Sequence, residues 1–204
     1  MEHPTRTLLR QRITKRNGIW YDWGEADCSQ QIVDMVRDIA EKSGSWDMRS
    51  QAMYDAFKDR PVAKVLGALW LYGTSPTNIR HVRLAYDDIA AFGAEGGSTG
   101  TNTDAEAKSR CAFWRSCDPY KDSRNVYGPF LPDWYPFYRV TTANLNLRDK
   151  SSVVVGQIIT ELPANTVVTL TDVTEQNADG YTWVPVETAD GMMRGWVAAE
   201  FLKR

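Results

Sequence analysis

The sequence predicts an α+β domain followed by a small all-β barrel, and three observations carry that prediction. The stretch "QQIVDMVRDIAEKSG" sets Ile32, Met35, Val36 and Ile39 at helical spacing, with Asp34, Arg37, Asp38 and Glu41 on the other side. The stretch "IRHVRLAYDD" alternates Ile79, His81, Arg83 and Ala85 against Arg80, Val82, Leu84 and Tyr86, which is the period of a strand. From Tyr138 onward, short segments rich in Val, Thr and Ile are separated by turns such as "NADG" and "ADG". That is the texture of a barrel of about 65 residues.

The chain's 204 residues suffice for two small domains, each burying its own core without disulfide staples. Apolar residues at 43% and charged residues at 25% exclude a disordered or collagenous chain. Eight Trp and nine Tyr are unusual. Such residues fill cores, and they also line clefts that grip sugars and peptides. The net charge is −2, with six Lys/Arg against eight Asp/Glu from Phe137 onward and 18 of each before it. Neither half carries the concentrated positive face that replaces phosphate counterions, so nucleic acid is not an expected partner.

Taken in order, residues 1–17 form a basic lead with Arg6, Arg10, Arg12, Lys15 and Arg16, read as unstructured around His3. No apolar run follows, so neither a secretory signal nor membrane insertion is expected, and the product is expected to be made in the cytoplasm. Asp27 stands as N-cap of the first amphipathic helix, placing Cys28 in the first turn, and Ser43-Gly44 closes it. A second helix is predicted through "MRSQAMYDAF", closed by Asp59 and Pro61. The segments "KVLGALWLYG" and "IRHVRLAYDD", joined by the turn-rich "TSPTN", predict two antiparallel strands. A third strand, "IAAFGAEGG", follows the Asp87-Asp88 turn. Residues 98–109 read as an exposed loop with a short helix, and "NVYGPFLPDWYPFYRV" as a stiff, packed connector. The predicted organisation is a lead at 1–17, an α+β domain at 18–130, a connector at 131–137 and a barrel at 138–204. Cys28, Cys111 and Cys117 are too few for a secreted disulfide framework. Free thiols are expected over a Cys111–Cys117 bridge. With only His3 and His81, no spacing resembles a tetrahedral metal site, and no cofactor is expected.

The C-terminal pieces run Leu145-Asn146-Leu147-Arg148, Val155-Gly156, Leu162 to Val168, Trp183 with Val184 and Val186, then Gly195-Trp196-Val197 before Phe201-Leu202. In order and spacing this half resembles the bacterial SH3 family. The resemblance implies a module that binds peptide or peptidoglycan. Trp183 and Trp196 are as readily core as ligand platform.

Cys28 is the candidate nucleophile. A thiol with a pKa of about 8.5 is only slightly ionised at neutral pH, so it needs a helix N-terminus and a base to become useful. His81 is the base available. The run Tyr21-Asp22-Trp23-Gly24 followed by Asp27-Cys28-Ser29 resembles the signature of the NlpC/P60 cysteine peptidases, and "GALWLYG" and "RHVRLAY" stand where that family has its strands around the histidine. The resemblance covers Gly18 to Gly97 and implies a papain-like domain of helices packed on an antiparallel sheet. By it, Cys28 is the nucleophile and His81 the base. Tyr21 and Trp23 would line the cleft, and Asp27 and Ser29 would help hold the amino end of a stem peptide. Three positions depart from the family pattern: Gln30 replaces a glycine, Ala68 an aspartate, and Gly93 the third polar residue that orients the imidazole. Glu95 is nominated for that last role, with Asp87 or a backbone carbonyl as alternatives.

The two resemblances imply a bacterial cell-wall hydrolase acting on peptidoglycan stem peptides, between D-γ-glutamate and the diamino acid. Without a signal, a phage lysis or tail-associated route to the wall is expected, with a mature bacterial enzyme shorn of its signal as the rival. Two other classes suit the same residues: a wall-binding protein that has lost its activity, and a cysteine amidase or acyltransferase effector on another substrate. The oligomeric state is left open.

Overall fold

A computed structural model describes residues 3–22, 26–37, 39, 48–62, 65–87, 89–96, 101 and 103–204. The chain divides into two units, Leu8–Trp134, and Tyr135–Arg204 together with the N-terminal residues to Thr7.

The first element corrects the reading of the basic lead. Pro4–Lys15 is a helix, α1, in which Leu9 and Ile13, four residues apart, are fully buried. Two apolar side chains on one face suffice to dock it, although its four basic residues hide the pattern in the sequence. The Trp114 indole N–H donates to the Ile13 carbonyl at 3.0 Å. His3 is buried as well, its Nδ1 accepting the Thr5 N–H at 3.2 Å.

Helix α2 (Cys28–Val36) buries Ile32, Met35 and Val36, the predicted apolar face, and Ile39 beyond it is buried too. The predicted stop at Ser43-Gly44 lies outside the described residues. Helix α3 (Ser50–Phe57) buries Met53 and Phe57. The sheet is built from β1 (Leu69–Ser75), β2 (Asn78–Ala85), β3 (Ala91–Glu95), β4 (Phe113–Cys117) and β5 (Asn125–Phe130), in the order β4-β3-β2-β1-β5 and antiparallel throughout. Helix α2 packs against β2 and β3, and α3 against β2. Between β3 and β4, α4 (Asp104–Ser109) is capped by Thr103, whose hydroxyl accepts the Glu106 N–H.

Two strands escaped the sequence reading. β4 has no alternation to betray it, and β5 occupies the first part of the segment read as a connector. Pro129 is tolerated there because it falls where the β1–β5 register shifts, an irregularity that asks no ladder N–H of it.

The second unit is all β: β6 (Tyr138–Thr141), β7 (Leu145–Arg148), β8 (Ile158–Leu162), β9 (Val167–Leu170), β10 (Gln176–Ala178), β11 (Tyr181–Thr188), β12 (Arg194–Ala198) and β13 (Leu202–Lys203). Their order is β13-β6-β9-β11-β12-β7-β8, with β10 paired to β11. Leu145, Leu147, Leu162, Val168, Val184, Val186 and Val197 form its core, alternate residues of facing strands turned inward. The predicted "NADG" turn joins β10 to β11 with Asp179 and Gly180 both at positive φ, as a two-residue hairpin loop requires. Both units together make an α+β chain of antiparallel sheets.

Candidate active site

Cys28 opens α2, and the residue before it explains why the helix starts there. Asp27 is extended, and its Oδ1 accepts the N–H groups of Ser29 and Gln30, each at 2.9 Å. The Ser29 hydroxyl donates to the same oxygen at 2.9 Å. These bonds satisfy first-turn donors that an α-helix leaves without intrahelical partners. The Gln31 N–H bonds the Asp27 carbonyl. Among the described residues nothing takes the N–H of Cys28. The Cys28 side chain is buried and not disulfide-bonded.

His81 reaches the site from β2. Its strand register with β3 pairs Leu84 with Phe92 and Ala85 with Ala91. Three steps along both strands from Leu84 and Phe92 set His81 across from Glu95. The side chains meet: His81 Nε2 lies 2.8 Å from Glu95 Oε1, both residues buried. With Nε2 engaged by a carboxylate, Nδ1 is the ring nitrogen left to face Cys28, whose charge acts on the imidazole. Tyr72, opposite His81 on β1, places its ring 5.6 Å from the imidazole.

Electrostatics favour charge on this pair. Burial alone would lower the His81 pKa, but the charge of Cys28 and its hydrogen bond, then the bond and charge of Glu95, more than offset it and raise it to about 9. Burial would likewise favour the protonated form of Glu95. The bonds and charges of His81 and Arg83 outweigh that and hold its carboxyl well below the usual carboxylate range. The result is a thiol, an imidazole and a carboxylate in sequence. Such an arrangement can move a proton from sulfur to ring and hold the imidazolium it creates.

The other nominated residues fall out differently. Tyr21 is buried, and its phenol is pushed above the usual range by burial first, then by the charges of Cys28 and Asp27. Trp23 lies outside the described residues. Asp27 and Ser29 are buried and bonded to each other. Of the alternatives to Glu95, Asp87 spends its Oδ1 on the N–H groups of Ile89 and Ala90, closing the β2–β3 turn.

Sequence reasoning missed the groups behind Glu95. Arg83 Nε and Nη2 grip its two oxygens at 2.7 and 3.0 Å. Asp122 holds Nη2 of the same arginine at 2.9 Å. Cys117 Sγ lies 3.7 Å from Glu95 Oε1. The signal for Arg83 was its alternation with His81, which puts both on one face of β2. Asp122 sits in a loop and left no such trace.

In the barrel, Trp183 is core, its indole N–H donating to the Ala178 carbonyl at 3.0 Å, whereas Trp196 is half-buried. A groove of about 200 Å³ is lined by Asn144, Asn146, Arg148, Tyr181, Trp183 and Phe201 among others.

Residues 143–203 match the bacterial SH3 domain. No curated protein matches the chain. Two solved structures of Ly7917 align with 95% of this chain and 92% of theirs, at 15% identity with a TM-score of 0.36, and at 13% with 0.32 for the one with the hydrolyzing product of MDP. Similarity at that level carries no argument about this chain. The bacterial SH3 domain is what these comparisons establish.

Proposed function

We propose that the chain is a peptidoglycan hydrolase that cleaves an amide bond of cell-wall stem peptides through a papain-like, NlpC/P60-type cysteine site. The observation that carries this reading is His81 held through Nε2 by the Glu95 carboxylate while it also feels the charge of Cys28, the first residue of helix α2. The bacterial SH3 domain supports the substrate, since such domains bind peptidoglycan.

In this reading His81 Nδ1 takes the Cys28 proton, and the thiolate attacks the scissile carbonyl carbon. The Cys28 N–H donates to the oxyanion that forms. The proton passes from His81 to the leaving amine as the C–N bond breaks and a thioester remains. Water, deprotonated by His81, then attacks the thioester, and the sulfur leaves to regain its proton. Glu95 accepts the Nε2–H throughout and stabilises the imidazolium. Tyr21 and Trp23 would flank the bound peptide, while Asp27 and Ser29 would shape the subsite for its amino end. The bond between D-γ-glutamate and the diamino acid is the proposed target.

The rival reading, a wall-binding protein without activity, drew on the missing polar residue at Gly93. Glu95 against His81 supports the hydrolase instead. The test is the release of stem-peptide fragments from purified cell walls, identified by mass spectrometry. Cys28→Ala is expected to abolish release while leaving the circular dichroism spectrum unchanged. Release undiminished in Cys28→Ala would sink the proposal.

A further inference from the structure

We propose that Arg83 is a positioning residue of this site, fixing Glu95 as the ionised partner of His81 Nε2 so that the other face of the imidazole is presented to Cys28. The inference rests on reading Cys28 as the nucleophile, but not on the identity of the substrate.

The Arg83 side chain is 4% exposed and is held on every side. Nε and Nη2 donate to Oε1 and Oε2 of Glu95 at 2.7 and 3.0 Å, the two-pronged geometry that a planar guanidinium makes with a carboxylate and a lysine cannot. Nη2 also donates to Asp122 Oδ2 at 2.9 Å, and Nη1 to the Asp118 carbonyl at 3.2 Å. The Tyr72 ring lies under the guanidinium, 4.4 Å from Cζ to the ring centre. Asp122 is tied in turn by Arg124, through Nε to Oδ1 at 2.7 Å and Nη2 to Oδ2 at 2.6 Å. The groups around Glu95 are therefore His81 and Arg83 from β2, Cys117 from β4, and Asp122 behind Arg83, with Tyr72 facing the arginine from β1 and Cys28 facing the histidine from α2.

This placement has a chemical consequence. A buried carboxylate next to an imidazolium can take the proton itself, and would then lose its hold on the ring. Two hydrogen bonds from a permanent cation keep the proton on His81 and leave Glu95 only lone pairs to offer. The carboxylate also cannot turn, because both oxygens are occupied. Buried and bonded to Glu95, Asp122 and the Asp118 carbonyl, Arg83 acts on His81 through Glu95.

The test uses the full-length chain and two readouts: iodoacetamide alkylation of Cys28 as a function of pH, resolved by mass spectrometry with exposed Cys111 as internal control, and kcat for cell-wall hydrolysis. In Arg83→Gln, Glu95 protonates more readily, the imidazolium loses its anion and the thiolate loses its imidazolium. The alkylation midpoint of Cys28 is expected to rise by about one pH unit, with kcat down about tenfold. Cys111 reacts as before. Arg83→Lys keeps the charge without the fork and is expected to fall between wild type and Arg83→Gln. In a Glu95→Gln background, Arg83→Gln should slow alkylation by less than about twofold more, because the two act as one unit. A midpoint that stays or falls in Arg83→Gln, or losses that multiply in the double variant, would overturn the proposal. Should Arg83→Gln not fold, Asp122→Asn loosens the guanidinium from its far side; a smaller rise of the midpoint is expected, and none would again overturn it. If walls are not cleaved at all, yet Cys28 alkylation responds to Arg83 as described, the hydrolase reading fails and the positioning role stands.

Discussion

A β-carbon on Gly93 would stand 2.8 Å from Glu95 Oε1 and 2.9 Å from Arg83 Cγ. The two residues lie two apart on β3, hence on one face, and the absent side chain of the first is the space into which the second reaches back toward His81. The glycine is thus part of the design of the site. Gly93→Ala must push the carboxylate or the arginine, both of which are locked by hydrogen bonds. We expect kcat to fall at least about tenfold while the fold is retained, since misplacing an orienting group by even a fraction of an ångström disturbs the reacting geometry. The measurement is kcat on cell walls beside a circular dichroism spectrum. Full activity in Gly93→Ala would show that the carboxylate position is not critical.

His81 is raised to about 9, and after burial, which opposes the rise, the charge of Cys28 is the largest cause. Removing the sulfur should therefore lower the histidine's titration midpoint. Cys28→Ala is expected to do so in a ¹⁵N NMR titration of the imidazole nitrogens; a midpoint unchanged from the native chain would contradict the coupling. The linkage has a definite sign. A pKa raised from an unfolded value of about 6.5 stabilises the fold fully below that pH, and the contribution is lost as pH rises through about 9. The gap in denaturation midpoint between the native chain and His81→Gln should be widest near pH 6 and narrow toward pH 9.5.

The remaining thiols differ from each other for a physical reason. Cys117 is pushed up to about 12, first by burial and then by the charge of Glu95, and its thiol donates to the Ala91 carbonyl at 3.3 Å. Cys111 is exposed. The thiolate is the reactive form, so alkylation at pH 8 should label Cys111 and spare Cys117. Comparable labelling of both would mean that β4 opens readily.

Much of this site was legible in the sequence because strand and helix periods carry position. Asp27 before an amphipathic run located Cys28 at a helix mouth, and alternation on β2 put His81 and Arg83 on one face. Glu95 was reachable by the same logic, since the register through the Asp87 turn sets it against His81. The arginine clamp was not legible. Asp122 comes from a loop with no period, and β4 and β5, which frame that loop, show too little alternation to be read as strands. The buried face of α1 was hidden by basic residues that surround only two apolar anchors.

The barrel offers a last prediction, on packing rather than chemistry. Gly195 lies where β12 passes β7, and a β-carbon there would stand 2.4 Å from the Arg148 carbonyl, with Ile159 Cδ1 and Leu147 Cδ1 at 3.1 Å. The first of these is backbone and cannot turn aside, so Gly195→Ala must part the strands beside Leu147, Val186 and Val197. Overpacking of that kind is destabilising by about 1–3 kcal/mol, and a small barrel has little stability in reserve. We expect an earlier unfolding transition for the barrel, followed by the fluorescence of Trp183 and Trp196, and weaker sedimentation with purified cell walls. Alkylation of Cys28 in the other unit should keep its native pH profile. A barrel that melts as before would mean that β7 and β12 can separate at no cost, contrary to the close packing of their side chains.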